Sequence, residues 1–419
     1  MRPSMDRNIS PHIYALSTIT TVLVSYFIFY HWHINSDYFF VPVFGLAVVY
    51  TAINIFRQKE YSKQFSTLKN PRLFTLLRRS VARYIVWLVL LYIGYQFYGM
   101  VPYYNSVLFK PSVIFFEKLL TIYLIAGLPY FFITLIYKSS RVEDFYDPAI
   151  RFIHISKQIT YRILRGDKIH SIFRVFRKKY NRKILLNIVM RAYFIPVMVS
   201  QITSNTSNAI QLTNTYSSGH ELIVLLMLLS SLIWLCDTIN ASLAYSLESR
   251  WLENRTRSID LTLTGWMVCL CCYPPLNNIT SSIFSFAPNV VNNNPNALIY
   301  TNITLFYIVK VLQVSLLGLH VYIDLSLGPS VANITYKKLQ TRGVYGIVRH
   351  PGTVTKLFFW LFISSFYRGF WNFKMLFGQL GWSVIYILRA LTEERHLSHH
   401  NEYREYKKKV KYRFIPGLF

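Results

Sequence analysis

Long apolar stretches separated by shorter basic or polar stretches run through this chain of 419 residues. Many of them approach the roughly 20 residues that an α-helix needs to cross a bilayer. About ten spans are predicted, near 13–30, 38–56, 84–98, 114–137, 184–202, 222–245, 261–276, 297–325, 354–367 and 376–391. Because a helix satisfies its own backbone hydrogen bonds inside lipid, the pattern predicts an all-α, polytopic transmembrane helical bundle.

The distribution of charge supports a membrane protein and predicts its orientation. The formal net charge is +27, and 37 of the 45 Lys and Arg fall in six segments, 1–12, 57–83, 138–183, 246–260, 326–353 and 394–419. Basic segments between spans mark the cytoplasmic side of a membrane protein. We therefore expect both termini and these segments to be cytoplasmic, in a bacterial inner membrane or the endoplasmic reticulum.

The basic loop 138–183 interleaves thirteen Lys and Arg with aromatic and aliphatic residues. This composition is typical of one or two amphipathic helices that lie on anionic lipid. A dock for a protein or nucleic-acid partner is the alternative. We expect no nucleic acid, because nothing in the chain resembles a nucleic-acid-binding fold.

Several ionisable residues fall inside predicted spans, where a charge is costly unless it is paired or functional. They are Glu117, Lys118, Arg191, Asp237, Lys310, His320, Asp324 and Lys356. We expect most of them to pair within the bundle. His320 and Asp324 lie four residues apart, so they either support a pocket or form a structural hydrogen bond. The four cysteines lack metal-ligand spacing, so no metal site is predicted.

The last eighty or so residues carry the candidate chemistry. Pro351 disfavours helix at the residue before it, so Arg349 and His350 are predicted to lie at the mouth of a membrane helix. Such a pair can hold an anionic or zwitterionic group. Arg389 and Glu393 are predicted to share one helix face at i,i+4 spacing. They form either part of a site or an ion pair with each other.

The segments "LQTRGVYGIVRHP", "RALTEERHL" and "NEYREYKKKVKYRFIPGLF" resemble the membrane-embedded isoprenylcysteine carboxyl methyltransferase family over roughly residues 325–419. The resemblance implies a helical membrane core whose terminal hairpin and cytoplasmic tail cap a pocket for S-adenosylmethionine. Relatives of that family include phospholipid methyltransferases.

The resemblance also implies roles for particular residues. Arg389 resembles the arginine that binds the substrate carboxylate, and Arg349 is expected to assist as a second catalytic cation. Ten positions resemble those that line the cofactor: Lys337, Lys338, Leu339, Gln340, Tyr345, His350, Pro351, Gly352, Thr353 and Glu393. The chain departs from the usual His-Pro-x-Tyr-x-Gly pattern, because Thr353 and Thr355 replace the tyrosine and the glycine and Lys356 adds a cation.

Together these features predict methyl transfer from S-adenosylmethionine to a lipophilic acceptor that enters from the bilayer, such as the carboxylate of a prenylated cysteine. A membrane lipid or sterol reductase that uses NADPH is one alternative. A non-catalytic transporter or scaffold is the other. The chain is expected to divide into 1–220, with five spans and the basic loop, and 221–419, the methyltransferase-like region with its motifs in 325–419.

Overall fold

The computed structural model describes residues 10–35, 38–57, 65–67, 73–107, 109–139, 148–249, 251–285, 296, 298–299 and 302–418. Parts of the predicted basic segments 1–12, 57–83, 138–183 and 246–260 lie outside the described residues. So do residues 297, 300 and 301 of the predicted span 297–325.

The described residues are mostly helical, which confirms the all-α prediction. In chain order the helices are α1 (Pro11–His31), α2 (Val41–Arg57), α3 (Leu73–Met100), α4 (Lys110–Ile136), α5 (Pro148–Leu164), α6 (Ile169–Arg177), α7 (Lys179–Gly219), α8 (Leu222–Ser246), α9 (Leu263–Leu270), α10 (Leu276–Ile283), α11 (Ile303–Leu325), α12 (Pro351–Ser364), α13 (Phe373–Leu397) and α14 (Asn401–Lys409). Two short antiparallel pairs join β1 (Phe65–Thr67) to β2 (Tyr137–Ser139) and β3 (Ser258–Ile259) to β4 (Thr335–Tyr336).

The prediction of about ten spans is wrong by the criteria of length and apolarity. Six helices of the described chain are long and apolar enough to cross a membrane: α1, α4, α7, α8, α11 and α13. A seventh apolar helix, Val41–Phe56, is shorter. Three of the six lie in residues 1–220 and three in 221–419.

The remaining predicted spans fail for two physical reasons. The helix α3 is 28 residues long, but Arg83, Tyr95 and Gln96 interrupt its apolar run. The helices α9 and α10 have only eight residues each, and α12 has 14. At 1.5 Å per residue α12 measures about 21 Å, less than the ~30 Å of a bilayer's hydrocarbon core.

Helix α8 forms the centre of the bundle, because α1, α2, α7 and α11 all pack against it. Ile239 and Leu243 of α8 belong to the largest apolar core. Hydrogen bonds also cross this core: the Tyr50 hydroxyl lies 2.5 Å from Thr18 Oγ1 and donates to Asn240 Oδ1 at 3.0 Å. Helices α1, α2 and α8 are therefore joined by polar as well as apolar contacts.

The segment after α11 lies at the same end of the bundle as the start of α1 and the end of α8. Gly328 has a φ of +55°, and a Cβ there would lie 2.7 Å from the ring of Tyr14, so only glycine fits this turn. Asn333 donates to the Tyr245 hydroxyl at 2.9 Å from its backbone N–H. We call this the loop end of the bundle.

The basic loop contains two helices, α5 and α6, as the sequence predicts. Val175 packs inward, whereas Tyr161, Leu164 and Phe173 are exposed beside the basic side chains. That pattern is suited to a lipid surface, and contact with anionic lipid stays a prediction.

Candidate functional site

The Arg349-His350-Pro351 turn lies at the start of α12. Helix α12 begins at Pro351, and His350 before it has a φ of −125° and a ψ of 58°, outside the helical region. A proline at the first helical position costs no hydrogen bond, because the N–H there has no helical partner. Arg349 and His350 therefore precede the helix, as the proline predicts.

The Arg349 side chain is buried and makes three hydrogen bonds to the protein. Its Nε donates to Glu394 Oε1 at 2.6 Å, and one terminal nitrogen donates to the carbonyl oxygens of Val410 and Lys411, both at 2.7 Å. The side chains of Arg349 and Glu394 are only 5% and 4% exposed. This arginine thus joins the start of α12 to α13 and to the segment after α14.

Two more cations and a histidine surround the Glu394 carboxylate. Arg413 lies 3.1 Å and Lys407 3.7 Å from Oε2, and His350 Nε2 lies 3.4 Å from Oε1. We call Glu394, Arg349, His350, Lys407 and Arg413 the Glu394 cluster. A carboxylate surrounded in this way stabilises the positions of several chain segments at once.

Backbone hydrogen bonds also hold the tail after α13 against the turn before α12. Val348 pairs with Tyr412 in a parallel bridge, and the N–H of His350 donates to the Arg413 carbonyl at 3.0 Å. The Tyr406 hydroxyl donates to the Tyr345 carbonyl at 2.6 Å. The tail after α13 therefore packs on the turn before α12.

Glu393 is predicted to contact the cofactor, whereas the buried carboxylate is its neighbour Glu394. Glu393 is exposed. Helical spacing predicts that Glu394 is the buried one. Trp382, Tyr386 and Ala390 are buried at intervals of four residues, and Glu394 lies four residues after Ala390 on the same face.

Arg389 lies in a different environment, which we call the Arg389 recess. Its guanidinium donates to the side-chain oxygen of Asn333 and lies 5.7 Å from the ring centres of both Tyr273 and Tyr386. Asn333 is held in turn by the hydroxyls of Tyr245 and Tyr273, each 2.8 Å from its side-chain nitrogen. No sequence pattern indicates Asn333, because it lies in a loop without a motif.

Arg389 keeps donors for a ligand. It is half-buried, and within the described part of the chain Asn333 is the one hydrogen-bond partner of its guanidinium. A guanidinium has five N–H donors in a planar fork that matches a carboxylate. The recess is therefore suited to an anion.

A second set of charges lies close to this recess, between α8, α11, α12 and α13. Lys356 lies 5.4 Å from the centre of the Tyr386 ring, and it interacts electrostatically with Asp324, Asp237 and Arg389. We call Asp237, Asp324, Lys356 and Arg389 the inner charged cluster. It offers two carboxylates and two cations inside the bundle.

Asp324 approaches the first turn of α12 closely. A Cβ on Gly352 would lie 2.9 Å from Asp324 Oδ1, so glycine leaves room for the carboxylate at the helix N-terminus, where negative charge is favoured. His320 stands between the helices, with Nδ1 3.2 Å from Thr355 Oγ1 and Nε2 3.8 Å from Asp324 Oδ2. Thr355, which replaces the family's glycine, thus has a partner on α11.

The predicted cofactor positions 337–340 mainly contact protein. Lys337 is 3% exposed and donates to the Ala244 carbonyl, and burial lowers its pKa to about 8 although Glu248 lies near it. Lys338 pairs with Glu253 at 2.7 Å, and Gln340 donates to the Ser326 carbonyl at 3.0 Å. Leu339 packs on the apolar group around Tyr336 and Tyr403.

Tyr345, Gly352 and Thr353 are all half-buried, and Pro351 is buried. Burial raises the pKa of Tyr345, and Asp324 and Glu393 raise it further. The Tyr345 hydroxyl therefore stays protonated near neutral pH and can donate a hydrogen bond.

No group of three or more His, Cys, Asp or Glu in the described part of the chain is placed to hold a metal ion. No family model, curated protein or solved structure matches the chain. The function is therefore inferred from the geometry of the two charged clusters, the Arg389 recess and the C-terminal motifs.

Proposed function

We propose that this protein is an integral membrane methyltransferase that moves a methyl group from S-adenosylmethionine to a lipophilic acceptor, most simply the carboxylate of a prenylated cysteine. The observation that carries the proposal is the Arg389 recess: a half-buried guanidinium, positioned by Asn333 and two tyrosine rings, beside the inner charged cluster.

The donor set of the inner charged cluster fits the charges of S-adenosylmethionine. The cofactor carries an ammonium and a sulfonium, which are complementary to the carboxylates of Asp324 and Asp237. It also carries a carboxylate, which is complementary to Lys356. The faces of aromatic rings attract cations as well, and both Tyr345 and Tyr386 lie at the edge of this region. Tyr345 and Gly352 keep the cofactor-lining roles that the motif resemblance implies.

The chain's own contribution is positioning and exclusion of water. Bound S-adenosylmethionine supplies a methyl group that is already activated by its sulfonium. Arg389 would hold one oxygen of the acceptor carboxylate and leave the other free to attack. A new C–O bond forms, the C–S bond breaks, and its electron pair passes to sulfur. An ionised carboxylate needs no general base for this step.

The Glu394 cluster has a supporting role in this proposal. By joining the tail to the turn before α12, it would close the pocket on the side of the loop end. Arg349 then acts as a positioning residue, because its donors already bind Glu394 and two backbone carbonyls.

We further propose that the loop end faces the cytoplasm. It carries the basic segments 246–260, 326–353 and 394–418, and basic segments are retained on the cytoplasmic side. The acceptor would enter from the bilayer, and the cofactor from the aqueous side.

Calorimetric titration of S-adenosylmethionine and of its demethylated product into the detergent-purified protein tests the proposal. We expect micromolar binding, weakened about tenfold or more by Asp324→Asn, since a charge-assisted contact is lost. Glu405→Gln on exposed α14 is the matched control. A folded protein that binds neither compound would overturn the assignment.

A further inference from the structure

Helix α7 is much longer than a membrane crossing requires. Its 41 residues measure about 62 Å, roughly twice the thickness of a bilayer's hydrocarbon core. The first half lies at the loop end, where Arg182 donates to the Leu261 carbonyl at 2.9 Å. The second half, residues 200–219, runs away from the loop end along the rest of the bundle. We therefore ask what surrounds this second half.

Contacts with α1 and α8 fix the depth of the second half of α7. Asn208 donates to Ser231, near the middle of α8, at 2.7 Å. The Tyr26 hydroxyl of α1 donates to the Ala209 carbonyl at 3.1 Å. Both α1 and α8 are long and apolar enough to cross a membrane, and Phe27, next to Tyr26, is 61% exposed. The surroundings of the second half are therefore lipid tails.

The composition of the second half does not match such surroundings. It carries no charge, since no Lys, Arg, Asp, Glu or His lies between Arg191 and His220, but it is rich in Ser, Thr, Asn and Gln. For this reason the predicted spans stop at 202 and resume at 222. A polar side chain in lipid has no water to bond with, so it is stabilised by hydrogen bonds to a neighbouring helix.

The outward polar residues of the second half form a single row, which we call the α7 polar stripe. They are exposed and follow one another at intervals of three and four residues: Ser204, Ser207, Gln211, Asn214 and Ser218. The inward face between them is buried against the bundle. Intervals of three and four are the a and d spacing by which two helices pack along a seam.

Three side chains of the stripe make no hydrogen bond within the described part of the chain: Ser204, Ser207 and Gln211. Asn214, by contrast, accepts from the Tyr30 hydroxyl at 3.0 Å. The Gln211 carboxamide alone has two N–H donors and an oxygen acceptor. The stripe therefore offers a lipid-facing row of donors and acceptors that a second helix can pair with.

The chemistry of the stripe matches a second copy of itself. A carboxamide and a hydroxyl each donate and accept, so every member can pair with its own counterpart. A two-fold axis along the membrane normal makes the two α7 helices parallel and brings identical residues together. The second half of α7 has no ion that would select an oppositely charged partner.

We propose that two copies of this protein associate in the bilayer through the α7 polar stripe, with Gln211 of both copies at the two-fold axis and the hydroxyls of Ser204 and Ser207 between the two helices. The interface is independent of the proposed methyl transfer, because none of its residues belongs to the Arg389 recess or to the inner charged cluster.

Resonance energy transfer between donor-labelled and acceptor-labelled full-length protein in phosphatidylcholine vesicles tests the proposal. We expect transfer to rise with the acceptor fraction and to fall when unlabelled wild type is added. The double variant Ser207→Leu/Gln211→Leu should weaken association about tenfold or more, because hydrogen bonds between the helices are lost. The matched control is Thr121→Leu on α4, whose exposed hydroxyl bonds to its own helix, and it should leave association unchanged.

Two results would overturn the proposal. Transfer no greater than that of a monomeric membrane protein, at every ratio of protein to lipid, would mean that the stripe does not pair with a second copy, and a different membrane helix would then be its occupant. Equal weakening by the double variant and by Thr121→Leu would mean that the stripe is not the contact.

Oxidative cross-linking in native membranes tests the position of the axis. We expect Gln211→Cys to give at least tenfold more disulfide-linked dimer than the wild type, whose own four cysteines set the background. Leu380→Cys on α13 is the matched control, because Leu380 is 63% exposed and lies on another helix. Both variants should keep the thermal stability of the wild type within a few degrees. Equal cross-linking of the two variants would contradict the proposed interface.

Discussion

Glu394 and Arg389 lie five residues apart on α13, yet their surroundings are opposite in kind. Glu394 is buried among three cationic side chains and the imidazole of His350. The Arg389 guanidinium has one hydrogen-bond partner in the described chain and two aromatic rings beside it. A charge whose partners are all supplied by the protein stabilises the fold. A charge that keeps donors free is available to a ligand.

The largest expected effect on stability comes from neutralising the buried carboxylate of Glu394. Glu394→Gln should lower the free energy of unfolding by about 3–5 kcal/mol, because it leaves the buried Arg349 without a counterion. Thermal unfolding in detergent, together with limited proteolysis of the tail, measures the loss. Glu393→Gln, one residue away and exposed, should change stability by less than about 0.5 kcal/mol. Similar losses in both variants would remove the distinction drawn above.

Arg389 should affect turnover more than stability. We expect Arg389→Gln to reduce kcat/KM for a prenylated cysteine roughly 30- to 1,000-fold, equivalent to about 2–4 kcal/mol of transition-state binding. Transfer of a labelled methyl group measures this, and thermal stability should change little. Arg395→Gln is the control, since that arginine is exposed and contacts Asp260 and Thr262. Equal activity of the two variants would show that Arg389 does not bind the acceptor.

Lys337 provides a test by pH, because it is a buried cation whose pKa is lowered to about 8 by burial. The unfolded chain holds this proton until about pH 10.4. Between these two pKa values the unfolded state binds more protons than the folded state does. The free energy of unfolding should therefore rise with pH, by about 1–3 kcal/mol over the whole interval. Lys337→Met should remove that rise. Lys338→Met, which breaks the pair with Glu253, should keep it. Parallel pH profiles of the wild type and Lys337→Met would contradict the assignment.

The smallest effect concerns the threonines that depart from the family pattern. Thr355→Val should cost about 0.5–1.5 kcal/mol, because it removes the hydroxyl that lies 3.2 Å from His320 Nδ1. Thr353→Val is the matched control: Thr353 is half-buried and shows no side-chain hydrogen bond within the described residues. Differential scanning fluorimetry of the two variants resolves this difference. An equal cost would mean that the His320 contact adds nothing to stability.

Structural features that depend on neighbouring residues are predicted correctly from the sequence. Pro351 correctly predicts where α12 begins, and the apolar runs correctly predict a helical bundle. The error in the number of spans is also local. The predicted span 261–276 is apolar enough but not long enough, because Pro274 and Pro275 separate α9 from α10 and leave each only eight residues long.

The partners of the charged residues depend on contacts that no local pattern contains. Arg349 lies 61 residues before Val410, whose carbonyl it binds. The carboxamide of Asn333 reaches Arg389 across 56 residues of chain. Sequence spacing indicates that Arg389 and Arg349 are candidates, but it does not show that the first guanidinium has one hydrogen-bond partner and the second has three.

The order in which the ribosome makes the Glu394 cluster has a consequence for assembly. Arg349 and Glu394 are synthesised before Lys407 and Arg413, so α13 enters the membrane with one of its cationic partners already made and two still to come. The tail can pack on the turn before α12 only when the helical hairpin is complete. Closure of the loop end therefore cannot precede synthesis of the tail, and a chain released before Lys407 would lack two of the cations that surround Glu394.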